Sequence, residues 1–238
     1  MMTRIPGYIY EIWNRLQKYY WNVMDVFSNF HGTVLMFHNI CNEHVDTLDS
    51  CQCKVDVFEK ILVKIKGNSK VLSINEMLDI IEQNKKETFT VITFDDIPDN
   101  VYYNAFPLLK KHHIPFTIFV STEFINKDGF ITLEHLRELI DSPLCTLGAH
   151  SSEHLVLRGC NDVYSQLKEN KLYLESIIGK KVDFLAYPYG RHESVPNTAK
   201  KVAKEIGFKC AFSTIPSSIN RFSSQNKYFL PRVIENRI

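Results

Sequence analysis

Asp95 and Asp96 stand side by side at the end of the apolar run VITF. Adjacent carboxylates repel each other, and burying one without a partner is expensive. A bound cation would relieve that cost; the plainer reading is a solvated acidic turn shared with Pro98 and Asp99. Further along, His150 and His154 form an H-x3-H pair within AHSSEH. On a helix, residues four apart share a face and can hold one ion, and a loop can also bring them together. Two imidazoles and one carboxylate are a common ligand set for a hydrolytic metal ion with an open position. The pair is not the HExxH pattern, because Glu153 directly precedes His154. In YPYG (187–190), Pro188 and Gly190 flank Tyr189. That favours a rigid turn able to aim a backbone N–H into a cleft, against the alternative of an ordinary loop. Cys51 and Cys53 form CxC, too little for a structural zinc site when the other cysteines lie far off in sequence. No G-x-S-x-G elbow supports Ser151 as a nucleophile, and neither Cys145 nor Cys160 has a better case.

The elements that must position these residues alternate. Strands are expected at 33–40, at TFTVITFDD, at IPFTIFV (114–120), at LCTLGAH, at VDFLAYP and at FKCAFS. Helices are expected between them, at 57–67, after Ser73, over 100–111, after Thr132, at DVYSQLKENKLYLESII and at NTAKKVAKEIG. Ser73 with Glu76 makes a capping box, and Gly179 and Gly207 close the last two helices. This order predicts an α/β fold with a mostly parallel sheet. His38, Asp95, Asp96, His150 and Tyr189 all fall at or just beyond a strand's C-terminal end, the edge where such sheets build sites.

The bulk numbers suit that reading. The chain has 238 residues, 45% of them hydrophobic, which supplies a substantial core and argues against disorder. A net charge of +1 shows no basic excess for a nucleic-acid polymer. Residues 8–27 read as an amphipathic helix with Trp13, Leu16, Tyr20 and Phe27 on one face. It either packs on its own domain or offers peripheral membrane contact, although its polar face is not strongly basic. Glu11, Asn14, Arg15, Gln17 and Lys18 interrupt any signal-peptide core, and no apolar run is long enough to span a bilayer. Free thiols in a cytoplasmic setting, at most peripheral to the inner membrane face, are expected.

Taken together, the chain resembles the polysaccharide deacetylase family, the NodB-homology or carbohydrate esterase family 4 domain. The matching pieces are TFDDIPDNVYYNAFPLLKKHHIPFTIFV (93–120), HSSEH (150–154), FLAYPYG (184–190) and PRVI (231–234), within a resemblance running from about residue 33 to 234. It implies a distorted, incomplete (β/α) barrel over residues 31–238 as the catalytic domain, preceded by the helical segment 1–30. It also implies Asp95 as catalytic base, Asp96, His150 and His154 as metal ligands, and a Tyr189 backbone N–H at the oxyanion. Zn²⁺ suits that ligand set, with Co²⁺ or Ni²⁺ as substitutes.

This chain departs from the family pattern in three ways. Ile97 and Pro98 replace the usual glycine and aromatic after the aspartate pair. The arginine usual shortly before the YPYG turn is absent, the sequence there being Lys180-Lys181-Val182-Asp183-Phe184, and the resemblance leaves Arg232 to supply the guanidinium. The C-terminal leucine–x–histidine motif is missing, and nothing after His192 is histidine. LMFHNI (35–40) looks like the rearranged branch, in which the acid histidine comes from an N-terminal strand. That resemblance makes His38 the expected general acid, with His31, His44 and His192 as rivals. The implied reaction is hydrolysis of the acetamide of an N-acetylated sugar, whether nucleotide-linked, lipid-linked or part of a glycan. An O-acetyl esterase using the same site, or an inactive carbohydrate-binding or scaffold protein, are the alternatives.

Overall fold

The computed structural model describes residues 28–43 and 52–234. The expected helix at 8–27, Cys51 and His44 lie outside those residues. The chain alternates strands with helices. β1 (Phe30–Phe37), β2 (Asn39–Ile40) and β3 (Gln52–Cys53) come first, then α1 (Val55–Asn68), β4 (Lys70–Val71), α2 (Ile74–Glu82) and β5 (Glu87–Asp95). A π-helical turn (Val101–Ala105) runs into α3 (Phe106–His112), followed by β6 (Phe116–Val120), α4 (Leu133–Asp141) and β7 (Cys145–Ala149). α5 (Val163–Ile178), β8 (Phe184–Ala186), α6 (Asn197–Ile206), β9 (Cys210–Phe212) and β10 (Val233–Ile234) complete it. The order in the main sheet is β10-β1-β5-β6-β7-β8-β9, with β4 also paired to β5, and every pairing is parallel.

The local signals act as their chemistry dictates. The Ser73 hydroxyl accepts from the Glu76 N–H while the Glu76 carboxylate accepts from the Ser73 N–H, so both sides of the capping box are made. The Thr132 hydroxyl caps α4, and Gly179 and Gly207 end their helices in left-handed conformations. The first strand starts earlier than the sequence suggests, at Phe30, and breaks at His38. The helix expected over 100–111 opens with a wide turn, in which the Phe106 N–H donates to the Val101 carbonyl, five residues back. Pro107 has no N–H to give to the carbonyl four residues before it, which removes a bond that would have tightened this turn.

Period-two alternation divides the core into two layers. Leu35, Phe37, Ile92, Phe94, Ile118 and Val120 face outward and pack with Phe58, Leu62, Leu109 and Leu136 of the surrounding helices. Val34, Phe89, Val91, Phe119, Phe184 and Phe212 fill the curled interior. At Gly32 a Cβ would lie 2.0 Å from the Phe89 ring, so the missing side chain makes room for that ring. On β5 the inward series continues from Phe89 and Val91 through Thr93 to Asp95, which delivers the Asp95 carboxylate to the mouth of the interior.

The curled sheet is bridged by one stretch of chain. Leu230 forms a parallel bridge with Phe212 of β9, and Val233 and Ile234 pair with Leu35 and Met36 of β1. Residues 230–234 thus connect the sheet's two ends, and Arg232 lies between those contacts. The result is the distorted, incomplete (β/α) barrel that the resemblance implies.

Candidate active site

The C-terminal strand edge gathers His38, Asp95, Asp96, His150, His154, Tyr189 and Arg232. Arg232 is fully buried and grips Asp95 with two parallel bonds, Nη1 to Oδ1 and Nη2 to Oδ2, each 2.6 Å. Its Nε donates to the Ser213 carbonyl at 3.0 Å, and Nη1 also reaches the Thr93 hydroxyl at 3.2 Å. The Phe119 and Phe212 rings lie 5.5 and 6.0 Å from the guanidinium carbon, so aromatic faces line the cation's surroundings. Burial pushes the Asp95 carboxyl up, but the Arg232 charge, the His150 imidazole and the Arg232 hydrogen bonds outweigh it and hold it at about 2.

Asp96 has no such partner. Its Oδ1 is buried without a hydrogen bond, 3.5 Å from His150 Nε2 and 3.2 Å from His154 Nε2. Burial, and next the Asp95 charge, push its carboxyl well above the usual range. Arg232 already balances Asp95, so a further positive charge is what Asp96 lacks. Among the described residues, Asp96, His150 and His154 are the one group of three or more such side chains placed to share an ion, with ligand atoms within 4.8 Å of one another.

His150 is prepared as a ligand. Its Nδ1 lies 2.7 Å from the Ala186 carbonyl, which can only accept, so Nδ1 carries the proton and Nε2 presents its lone pair toward Asp96. Its backbone N–H donates to Asn170 Oδ1 at 3.0 Å, and its carbonyl accepts from the Ser121 hydroxyl at 2.7 Å. Burial pushes the His150 imidazole down to about 3, which keeps it neutral as a ligand must be. His154 is reached through a loop rather than a helix. Its N–H donates to Ser151 Oγ at 3.1 Å, and both Ser151 and His154 have positive φ. The two imidazole centroids are 5.0 Å apart. The donor set therefore fits a divalent cation: one carboxylate with an unpartnered oxygen and two neutral imidazoles.

Tyr189 sits between Pro188 and Gly190 at φ +60°, and the Gly190 N–H closes the turn on the Pro188 carbonyl at 2.7 Å. Thr214 holds the turn from outside, its hydroxyl donating to the Tyr189 carbonyl at 2.7 Å. Tyr189 is 53% exposed, and its ring lies 5.0 Å from that of His154. No group among the described residues accepts from the Tyr189 backbone N–H.

His38 Nε2 is 4.0 Å from Asp96 Oδ2, and its Nδ1 is buried without a partner. An ordinary imidazole pKa is not what its surroundings give. Burial pushes it down, the Asp95 charge pulls it up, and Arg232 pushes it down again, with a net lowering. Its rivals stand elsewhere. His31 pairs in register with Thr88 near the start of β1, and His192 packs against Phe229. Sequence reasoning missed Ser121, Asn170, Thr93 and the asparagines Asn100 and Asn104. Only Asn170, a polar residue fully buried on the inner face of α5, carries a local signal. A cavity of about 400 Å³ lies at the opposite strand ends, beside Cys145, Thr146 and Phe184, and is lined by none of the gathered residues.

A curled parallel half-barrel that collects paired carboxylates and imidazoles at its C-terminal edge is the NodB-type architecture. The chain belongs to the polysaccharide deacetylase family, whose sequence profile matches residues 82–211. It is 27% identical over 196 residues to the poly-beta-1,6-N-acetyl-D-glucosamine N-deacetylase of Staphylococcus aureus, covering 74% of this chain and 65% of that one. The chain thus spans slightly less than two thirds of that relative. Among solved structures, the Streptococcus pyogenes deacetylase PplD, in complex with acetate, superposes with a TM-score of 0.76 at 22% identity, over 85% of this chain and 91% of that one. IcaB from Ammonifex degensii superposes with a TM-score of 0.74 at 22% identity, over 86% and 91%.

Proposed function

We propose that the protein hydrolyses the acetamide of an N-acetylated glycan with the help of a divalent cation, zinc being the best match to the ligands. The observation that carries this is the unpartnered Asp96 oxygen between two neutral imidazoles, beside an Asp95 whose charge is already balanced. The similarity to a staphylococcal enzyme named for N-deacetylation supports the amide over the ester, and a glycan over a nucleotide- or lipid-linked sugar.

Asp96, His150 and His154 would hold the cation. When bound, it supplies Lewis acidity toward an acetyl carbonyl and toward water. Asp95 takes the proton of the attacking water, using lone pairs not engaged by Arg232. Arg232 keeps that carboxylate ionised and fixed while lowering its basicity, a loss that the bound cation's effect on water would offset. The Tyr189 N–H donates to the oxygen that gains charge as the carbonyl carbon becomes tetrahedral. His38 gives its proton to the departing sugar nitrogen as the C–N bond breaks, leaving acetate and a free amine. Burial disfavours its charged form, so the Asp95 charge that partly offsets this is part of how it holds that proton.

The test is acetate release from β-1,6-linked N-acetylglucosamine oligomers and from matched O-acetylated sugars, with zinc-loaded protein and Asp95→Asn as control. Release from the amide that Asp95→Asn abolishes is expected. Release from the esters alone would replace the reading with an esterase, and no release from any of them would overturn it. His38→Ala is expected to lower kcat by about 10²–10⁴-fold with metal content unchanged.

A further inference from the structure

His38 lies at the break between β1 and β2, and neither ring nitrogen makes a hydrogen bond. With no hydrogen bond of its own, the ring is held by the packing around it and by the backbone at either side. Upstream, β1 is held against β5, with Phe37 opposite Phe94. Downstream, two asparagines take hold of the chain. Asn100 Oδ1 accepts from the Ile40 N–H at 2.9 Å, and its Nδ2 donates to Asn39 Oδ1 at 2.9 Å. Asn104 Nδ2 donates to the Ile40 carbonyl at 2.7 Å. Both backbone polar groups of Ile40 are thus bound, two residues beyond His38.

These asparagines belong to the segment that leaves the aspartate pair. Asn100 stands four residues after Asp96 and just before the π-helical turn, and Asn104 lies within that turn. Such wide turns recur at functional sites because they re-aim side chains relative to a regular helix. Here the two asparagines bind Asn39 and Ile40, the residues that directly follow His38. We propose that Asn100 and Asn104 are positioning residues, a clasp that fixes His38 relative to Asp95 and Asp96. The inference rests on His38 being the proton donor.

A clasp of this kind affects only reactions that need the donor. The sugar amine must be protonated to leave, whereas the 4-nitrophenolate of 4-nitrophenyl acetate leaves without help. The zinc-loaded full chain carrying Asn100→Ala, Asn104→Ala, Asn104→Asp or His38→Ala is assayed on both that ester and the β-1,6-linked N-acetylglucosamine oligomer. Asn104→Asp keeps the shape of the side chain and removes its donor. Each asparagine variant is expected to lower kcat on the amide by about 10–100-fold, within the effect of losing the donor itself. The ester rate and metal content should stay near wild type, while the melting temperature should fall modestly because the buried Ile40 backbone groups lose their partners. In His38→Ala/Asn104→Ala the amide rate should fall no further than in His38→Ala, since residues acting through one group are not additive.

Equal losses on both substrates would mean a structural role and overturn the clasp, as would a further fall in the double variant. If His38→Ala spares the ester and cripples the amide while the asparagine variants do neither, the clasp alone fails. If His38→Ala leaves the amide rate near normal, the donor reading fails and takes the clasp with it. Crystals of the Asn104→Asp protein give a readout independent of turnover. The ring should be displaced or disordered, and His38 still ordered at its 4.0 Å separation from Asp96 would overturn the proposal.

Discussion

Asp96 and Tyr189 are held by the same backbone device. Each is the central residue of a three-residue turn, closed by a 2.7 Å bond from the following N–H to the preceding carbonyl. Each has a left-handed φ, +62° for Asp96 and +60° for Tyr189. A residue with a side chain is strained there by about 1–2 kcal/mol. Such strain persists only where the surroundings over-determine it. Ser151 and His154, at φ +63° and +52°, add two more such positions to the same edge.

Ile97 extends this pattern. It is β-branched, fully buried and at φ +52°, where the family's usual residue is glycine. Removing the side chain should cost about 2–5 kcal/mol through lost burial. Ile97→Gly should nevertheless be more stable than Ile97→Ala by about 1 kcal/mol, since only glycine adopts this backbone without penalty. Chemical denaturation of both variants checks this, and alanine matching or exceeding glycine would contradict it.

The unpartnered Asp96 oxygen predicts a change of sign with metal. In chelator, Asp96→Asn should raise stability by about 1–3 kcal/mol, because a buried carboxylate without a counter-charge is removed. In saturating zinc the order should reverse, since the wild type alone gains the full binding energy. Melting temperatures with and without zinc decide the matter. The same order in both conditions would remove Asp96 from the ligand set.

At the YPYG turn the backbone should matter and the phenol should not. Tyr189→Phe should leave kcat within about twofold, because an exposed ring keeps the turn and its N–H. In Gly190→Ala the added Cβ would meet the Thr214 nitrogen at 2.6 Å, at φ +59°. Loss of the aimed N–H should lower kcat by about 10²–10³-fold. Steady-state kinetics of the pair test this, and a damaged Tyr189→Phe would point to the hydroxyl instead.

Glu175 carries a pH-dependent share of stability remote from the site. Burial raises its pKa, but the Val182 N–H at 3.0 Å and Lys171 outweigh it and hold it below its ordinary 4.5. A folded-state value below the unfolded one means the contribution is complete above about pH 4.5 and is lost as pH falls through the lowered value. Glu175→Gln should therefore lower stability at pH 7 and progressively less in acid below 4.5. Denaturation across pH checks it, and a gap that widens in acid would contradict the assignment.

Much of this was legible in the sequence because it is local. The capping box at Ser73, the Thr132 cap and the glycines ending α5 and α6 depend on residues a few positions apart. Strand-end placement likewise brought His38, Asp95, His150 and Tyr189 to one edge. Spacing could not say whether His150 and His154 share a helix or a loop, because Ser151 and His154 leave helical geometry through positive φ. The two bonds from Arg232 to Asp95, the turn ahead of Pro107 and the grip of Asn100 and Asn104 on Ile40 join segments distant in sequence. No periodicity reports such contacts.

The bond between Asp95 and Arg232 links residues 137 positions apart. The strand that ends in TFDD does not by itself give its first aspartate a partner. Only when residues 230–234 bridge β9 to β1 does the guanidinium arrive. The Asp95–Arg232 pair thus exists only where the two ends of the sheet are joined, so the site and the closure of the sheet share one structural requirement.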